Sequence, residues 1–312
     1  MAIELELKLM IQPEHLQAVS DLLDQICSKS NECTIGPTQE LMNAYFDTPE
    51  ERLKHAGVAL RIRAVDGRYI QTLKTRGTNR VGMHARGEWE WELQQDLIDL
   101  SVLEPAMLPA DLKNIDWGMD LVEAFRTDFT RKIWLVTAEK SSMEVVVDKG
   151  KVHSPYGSEP ICELELELKG GDEEGLYRFA ETLAQHIPVQ VSTVSKAAKG
   201  NRLKNNRIEL PKEPSSNATQ QLTAYWYDVW LAYWEAMCFM DDPVLLVPVC
   251  DAMEHLSTYL PNELSKVLLS VKNHLIQLQG ASVDESPALL ANQLDIGQVM
   301  LSIGRWMNHQ QT

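Results

Sequence analysis

Residues 163–169 read Glu-Leu-Glu-Leu-Glu-Leu-Lys, with a charged side chain at every second position of an otherwise apolar run. The alternation recurs at 4–9 (Glu-Leu-Glu-Leu-Lys-Leu), 60–63 (Leu-Arg-Ile-Arg) and 88–93 (Glu-Trp-Glu-Trp-Glu-Leu). Because side chains alternate between the two faces of a strand, each run predicts a β-strand with one apolar and one charged face. Like charges on one face repel, so these strands predict bound cations or basic strands opposite them.

The bulk composition excludes several classes of protein. The 312 residues carry a net charge of −16, and neither 1–212 nor 213–312 has the basic excess of a nucleic-acid-binding protein. No apolar stretch reaches the roughly 18 residues of a membrane span, and the first residues do not resemble a signal peptide. The five cysteines are scattered without a Cys-x-x-Cys pair, which predicts reduced thiols in a cytoplasmic protein. We expect no nucleic-acid or membrane partner.

Residues 1–208 are predicted to form an antiparallel sheet or barrel with flanking helices, because many strand-like runs follow one another with few parallel-type crossovers. Asp66-Gly67 and Lys149-Gly150 are typical of hairpin turns. Helical spacing is found at 13–27 and 173–186, and a shorter helix is predicted at 195–203.

A second region is predicted after a linker at 209–217, which is rich in Pro, Lys and Ser. Residues 218–312 have helical periodicity and predict four helices, at about 218–240, 244–258, 262–279 and 287–308. The aromatic stripe of Trp226, Trp230 and Trp234 is interpreted as helix core. The predicted fold class is α+β, with a small all-α domain after the β domain.

If the charged faces point at one another, they line a water-filled lumen in which both signs of charge are present. Arginine and lysine side chains hold phosphate oxygens, and carboxylates hold hard divalent cations that bridge to phosphates. The predicted ligand is a compact polyphosphate with Mg²⁺ or Mn²⁺, and the predicted reaction is phosphoryl transfer to water.

Several motifs in one order resemble the CYTH family, also called triphosphate tunnel metalloenzymes, over about residues 1–205. The motifs are Glu4-x-Glu6-x-Lys8, Leu60-Arg61-Ile62-Arg63, Thr72-Leu73-Lys74, Glu88-x-Glu90-x-Glu92, Thr127-Asp128-Phe129-x-Arg131, Val147-Asp148, Glu163-Leu-Glu165-Leu-Glu167 and Ser195-Lys196-x-x-x-Gly200. The resemblance is greatest to the bacterial inorganic triphosphatases, and it implies an eight-stranded antiparallel tunnel.

The resemblance also implies roles for individual residues. The triphosphate would be held by Lys8, Arg61, Arg63, Lys74, Arg131 and Lys196. One or two metal ions would be held by Glu4, Glu6, Asp148, Glu163 and Glu165, with support from Glu88 and Glu90. One metal would bridge the phosphates, and a second would lower the pKa of the attacking water. Glu6, Lys8 or the metal alone would deprotonate that water.

The helical region occupies the place of the CHAD domain that follows the tunnel in related triphosphatases. It departs from that domain because it is short, is acidic and lacks His- and Arg-rich helices. We therefore expect a divergent CHAD-like domain that braces the tunnel or mediates homo-oligomerisation, rather than one that binds polyphosphate.

The leading hypothesis is a metal-dependent inorganic triphosphatase that splits tripolyphosphate into diphosphate and phosphate. A nucleoside or thiamine triphosphatase, or a class IV adenylate cyclase, could use the same tunnel. A polyphosphate-binding scaffold is a non-enzymatic alternative, but anion capture alone needs no carboxylates. A lipocalin-like carrier would need an apolar interior.

Overall fold

The computed structural model describes residues 2–75, 78–80, 83–205, 207–281 and 286–310. Side chains are described for 5–75, 87–205, 207–280 and 286–310.

Eleven strands in the described ranges form one sheet. They are β1 (Ala2–Ile11), β2 (Cys33–Ile35), β3 (Gln39–Asp47), β4 (Val58–Val65), β5 (Arg68–Thr75), β6 (Thr78–Arg80), β7 (Met83–Leu93), β8 (Val122–Ala138), β9 (Ser141–Ser154), β10 (Gly157–Gly170) and β11 (Val189–Val191). Eight strands pair antiparallel in the order β1-β10-β9-β8-β3-β4-β5-β7, and β7 pairs again with β1. The three short strands β2, β6 and β11 pair at the borders of this ring.

The predicted hairpin turns have different outcomes. Asp66 and Gly67 connect β4 to β5 with φ angles of 50° and 75°, which suits a two-residue hairpin. The prediction of a turn at Lys149-Gly150 is wrong, because both residues lie inside β9. A Cβ atom at Gly150 would overlap the carbonyl oxygen of Asp128 and the Cβ of Phe129, so this glycine permits close strand approach.

Within the described residues, four α-helices accompany the sheet: α1 (Leu16–Lys29), α2 (Arg52–His55), α3 (Glu173–Ala184) and α4 (Lys196–Asn205). The sequence did not reveal the segment between β7 and β8, which forms short 3-10 turns at Leu100–Val102, Pro105–Met107, Ala110–Leu112 and Ile115–Asp120. Trp117 of this segment is buried in a cluster against which Trp89 and Trp91 pack. The two β7 tryptophans therefore lie on the outer face of the sheet, and their glutamate neighbours lie on the opposite face of the strand.

Residues 207–218 contain neither helix nor strand. Five helices follow: α5 (Thr219–Met240), α6 (Leu246–Ser257), α7 (Asn262–Ala281), α8 (Pro287–Ala291) and α9 (Leu294–His309). The single helix predicted at 287–308 is wrong, because Gln293 adopts an extended conformation and divides it. Asn292 beside the break bonds the His15 ring and the Glu14 carboxylate, so a tertiary contact overrides the local helical pattern.

One hydrophobic core joins the helical region to the outer face of the sheet, and it contains Leu7, Val145, Leu166, Trp234 and Ile303. Trp230 and Trp234 have no exposed surface, which agrees with the interpretation of the aromatic stripe as core. Two glycines of α9 allow close contact with the β region. Added Cβ atoms at Gly297 and Gly304 would overlap the Val189 carbonyl oxygen and the Tyr177 ring.

The predicted class, an antiparallel β structure with flanking helices followed by a helical region, is confirmed. The domain boundaries at 208 and 218 remain a prediction. In the part of the chain that the structure describes, no helix is long and apolar enough to cross a membrane. The prediction of five free thiols is wrong for one pair, since Cys27 and Cys33 form a disulfide. The other three cysteines are free.

Candidate active site

Inward-facing side chains of the strand ring line a polar cavity of about 70 Å³ together with the start of α4. The lining residues are Glu6, Lys8, Tyr45, Ala59, Arg61, Arg63, Lys74, Phe129, Arg131, Glu165, Ser195, Lys196 and Ala197. Most occupy alternating positions on their strands, which is why they share one face. The charged faces therefore point into a common interior rather than into bulk solvent.

Three carboxylates form an acidic cluster at one wall of the cavity. Asp148 of β9 lies directly opposite Glu163 of β10, and Glu165 follows two residues later on the same face. Their exposed fractions are only 0%, 1% and 6%. One oxygen atom from each lies within 4.8 Å of the others. We call Asp148, Glu163 and Glu165 the carboxylate triad.

The Lys196 ammonium lies at the centre of the triad. Its Nζ atom is 2.7 Å from Asp148 Oδ2, 2.7 Å from Glu163 Oε2 and 2.9 Å from Glu165 Oε1. Lys8 donates to Glu165 and, at 3.3 Å, to Glu163 Oε2. A cation thus already occupies the space between the three carboxylates.

Arg131 supplies a further cation from the neighbouring strand. Its Nε and Nη2 atoms donate to the two oxygens of Asp148 at 2.8 and 2.7 Å, and Nη2 also donates to Glu165 at 2.9 Å. This two-pronged geometry fixes the guanidinium plane against the triad.

The ionisation of these groups follows from their mutual contacts. Burial alone would raise the pKa of Glu163, but the Lys196 and Lys8 ammoniums outweigh it and lower that pKa to about 2. For Glu165 the same two lysines and Arg131 overcome burial and hold the pKa well below its usual value. Burial would lower the pKa of Lys196, but the triad raises it well above normal. The charges of these groups therefore persist across the physiological pH range.

The opposite wall carries cations with fewer partners. Arg61 lies 3.8 Å from Glu88, and its Nη1 donates to the Tyr45 hydroxyl at 3.4 Å. Arg63 Nε donates to Asn43 Oδ1 at 3.1 Å, and no ion pair to Arg63 is found within the described residues. Burial and the nearby Arg61 and Arg131 cations lower the pKa of Arg63 to about 10. This wall holds positive charge that the protein itself balances only in part.

Most of the predicted site residues lie together. Those lining the cavity are Glu6, Lys8, Arg61, Arg63, Lys74, Arg131, Glu165 and Lys196. Asp148 and Glu163 lie just behind them as the remainder of the triad. Glu88 contacts Lys74 at 3.0 Å, whereas Glu90 is exposed and accepts a bond from Thr72. The side chain of Glu4 lies outside the described residues.

The sequence predictions missed several polar and aromatic residues at the cavity. Tyr45 and Asn43 lie two apart on β3 and contact Arg61 and Arg63, and Phe129 lies 5.0 Å beneath the Lys196 ammonium. The signal was available, because these positions continue the alternation along their strands. They carry no charge, so the alternation of charged residues does not point to them.

The donor set of the triad fits a hard divalent cation. All its ligands are carboxylate oxygens, which Mg²⁺ and Mn²⁺ prefer. Glu163 Oε1 is buried without a hydrogen-bond partner, and the Lys199 Nζ atom lies 3.6 Å from it. An unsatisfied buried carboxylate oxygen is costly unless a cation meets it.

Three comparisons with known proteins bear on this site. The sequence profile of the CYTH domain matches residues 2–200. An inorganic triphosphatase of Haemophilus influenzae is 34% identical over 199 residues, which are 63% of this chain and 54% of that protein. The chain thus spans about half the length of this curated relative.

Among solved structures, a Hippeastrum protein described as an adenylyl cyclase with a dominant triphosphatase activity is 20% identical. The match covers 66% of this chain and 97% of that one, with a TM-score of 0.43. A Mimivirus capping enzyme triphosphatase is 12% identical over 59% of this chain and 89% of that one, with a TM-score of 0.36.

Proposed function

The chain belongs to the CYTH domain family, and from this membership we propose that it hydrolyses inorganic triphosphate to diphosphate and phosphate in a metal-dependent reaction. The similarity to the Haemophilus influenzae inorganic triphosphatase supports this substrate.

One observation carries the proposal: a carboxylate wall and a cation wall face the same cavity. A simple anion-binding site would need only the cations. A simple metal site would need only the triad. A metal-complexed polyphosphate uses both, and burial together with the nearby Arg61 and Arg131 cations lowers the pKa of Arg63, so an anion bound there would be favourable.

The proposed roles follow the sign of the charge on each side chain. Lys8, Arg61, Arg63, Lys74, Arg131 and Lys196 bind and orient the phosphate oxygens. The triad and Glu6, with Glu4, hold Mg²⁺ or Mn²⁺, and Glu88 and Glu90 support the neighbouring basic residues. Bound metal supplies Lewis acidity that neutralises phosphate charge and lowers the pKa of water. Glu6 and Lys8 are the proposed residues that hold or move a proton beside the reacting phosphate.

A phosphate-release panel tests the substrate. Tripolyphosphate, ATP and thiamine triphosphate are each assayed with Mg²⁺, with Mn²⁺ and with EDTA. We expect metal-dependent release that is fastest with tripolyphosphate. Preference for ATP with cyclic AMP as the product would identify a cyclase instead, and preference for thiamine triphosphate would identify a thiamine triphosphatase. Tight polyphosphate binding without turnover of any substrate would indicate a scaffold.

A matched pair of variants links the activity to the cavity. Glu6→Gln removes a charge from the cavity, whereas Glu40→Gln makes the same change on β3 at an exposed position bonded to Thr130. We expect Glu6→Gln to lose most turnover and Glu40→Gln to retain it. Equal activity in the two variants would contradict the proposed site.

The remaining proposals concern the helical region, the location, the partners and the oligomeric state. We propose that the divergent helical region braces the β region, which the shared core supports. A cytoplasmic location, the absence of nucleic-acid and membrane partners, and homo-oligomerisation remain predictions. Cell fractionation would test the location, and light scattering of the purified protein would test the oligomeric state.

A further inference from the structure

A line of buried ionic side chains runs from the carboxylate triad to the helical region. Lys199 of α4 lies 3.6 Å from Glu163 Oε1 and 2.9 Å from Glu159 Oε1 of β10. Glu159 also receives two bonds from Arg202 of α4, one of them at 2.8 Å from Nε. Lys199, Glu159 and Glu163 are each at most 6% exposed.

The line ends at Glu235 of α5, which is only 3% exposed. Its Oε1 atom is 3.4 Å from Arg202 Nη1, and its Oε2 accepts a 2.7 Å bond from the Ser192 hydroxyl. The backbone N–H of Ser192 donates to the Lys8 carbonyl oxygen at 2.9 Å. Glu235 therefore contacts α4 on one side and, through Ser192, the strand that carries Lys8 on the other.

This line of buried ionic side chains is energetically costly if it serves only to join the two regions. Burial of a carboxylate in an apolar core is unfavourable unless it is paired, and an apolar contact of similar volume is often at least as stable. The rest of the shared core is largely apolar. The charges lie where α4 meets the triad, and α4 carries Lys196 at its first position.

The packing of α4 explains how Glu235 can affect the position of Lys196. Gly200 allows α4 to lie against the Phe125 ring, and a Cβ atom there would overlap that ring. Among the described residues, the buried positions of α4 are Lys196, Lys199 and Gly200, so polar contacts supply much of its attachment. A change in those contacts would shift the Lys196 ammonium relative to the triad.

We propose that Glu235 is a positioning residue, which holds α4 through Arg202 and thereby sets the place of the Lys196 ammonium in the phosphate-binding cavity. The effect on catalysis rests on the proposed triphosphatase function, while the effect on α4 does not. Glu235 touches neither the cavity nor the triad. Its role makes the C-terminal helical region part of the apparatus that orients the substrate.

The test compares Glu235→Gln with Glu181→Gln. Glu181 of α3 accepts a 3.1 Å bond from Arg305 of α9, so it joins the same two regions without contact to α4. Hydrogen exchange of the α4 amides and tripolyphosphate kinetics with Mg²⁺ are measured for both variants and the parent. A charged hydrogen bond contributes about 1.5–3 kcal/mol. We therefore expect the exchange rates of the α4 amides and the KM for tripolyphosphate to rise about tenfold or more in Glu235→Gln. We expect kcat to change less than KM, and Glu181→Gln to resemble the parent in α4 exchange and KM.

Equal α4 exchange in Glu235→Gln and Glu181→Gln would overturn the inference, as would faster α4 exchange with an unchanged KM. Glu235→Gln added to Arg202→Gln should have little further effect, because Glu235 acts on α4 through Arg202. Full additivity would contradict that path. If Glu235→Gln does not fold, Ser192→Ala weakens the same anchor and carries the same expectations. If the parent lacks triphosphatase activity, the proposed function fails, and α4 exchange with tripolyphosphate calorimetry still decides the inference.

Discussion

Replacing Arg63 by glutamine should leave the free energy of unfolding unchanged or raise it, whereas replacing Arg131 by glutamine should lower it. Both residues face the same cavity. Burial and the Arg61 and Arg131 cations lower the pKa of Arg63 from its usual value to about 10. A change of one unit corresponds to 1.36 kcal/mol, so the charge on Arg63 costs the free protein about 3 kcal/mol. Arg63→Gln removes that cost but also loses the bond to Asn43, which contributes about 1–3 kcal/mol. We expect a free energy of unfolding that is unchanged or up to about 2 kcal/mol higher.

Arg131→Gln should have the opposite effect. The Arg131 guanidinium neutralises Asp148 and Glu165, and their carboxylates raise its pKa above normal. Without Arg131 the Lys8 and Lys196 ammoniums face the three carboxylates of the triad, so one buried negative charge is unbalanced. Breaking a buried ion pair in this way costs about 3–5 kcal/mol. The two variants should therefore differ by several kcal/mol in stability.

Urea unfolding near neutral pH measures the stabilities, and calorimetry measures tripolyphosphate affinity. Loss of a charged phosphate contact of about 1.5–3 kcal/mol predicts a roughly 10- to 100-fold weaker affinity for Arg63→Gln. A more stable protein with weaker binding would show that the site stores unfavourable charge for its ligand. Destabilisation of Arg63→Gln as large as that of Arg131→Gln would refute the reasoning.

Three further predictions follow from the same contacts. EDTA should abolish turnover but change the melting temperature by no more than about 2 °C, which corresponds to about 1 kcal/mol for a chain of this size. The reason is that Lys8, Lys196 and Arg131 already neutralise the triad, and unfolding on chelation would contradict it. Because the pKa of Glu163 in the folded protein is lowered to about 2, its ion pairs should stabilise the protein above pH 4.5 and be lost as the pH falls towards 2. In an acid titration, the free energy of unfolding of Glu163→Gln should therefore decline less steeply than that of the parent. Gly150→Ala should cost more than about 3 kcal/mol in urea unfolding, since its methyl group would overlap the neighbouring strand, and a smaller loss would indicate that β8 and β9 can separate.

Much of the site could be predicted from the sequence, because alternation along a strand fixes which side chains share a face. Glu163 and Glu165 needed only a correct strand assignment to fall on the same side. Their contact with Lys196 could not be derived from alternation, since that residue lies on α4 and meets the triad through tertiary packing. The family resemblance supplied Lys196, and physical pattern alone would have left it on a surface helix.

Other features required long-range information. Gly150 looked like a turn residue because Lys-Gly is common in turns. Glycine is needed at this position because β8 approaches closely. The segment of 3-10 turns around Trp117 has no helical or strand period, so only its burial against Trp89 reveals its place. Glu235 is one of two charged residues in an apolar helix, and its partner Arg202 is distant in sequence.

The shared core also bears on how the chain folds. Close contacts at Gly297 and Gly304 of α9 bring this helix against β11 and α3, so neither region has a complete hydrophobic interior alone. Two regions that complete each other in this way should melt as one cooperative unit. Calorimetry should give a single transition with equal van't Hoff and calorimetric enthalpies. A chain ending at Pro211 should then populate an expanded, aggregation-prone state, so heritable change in the helices is constrained by the foldability of the whole protein.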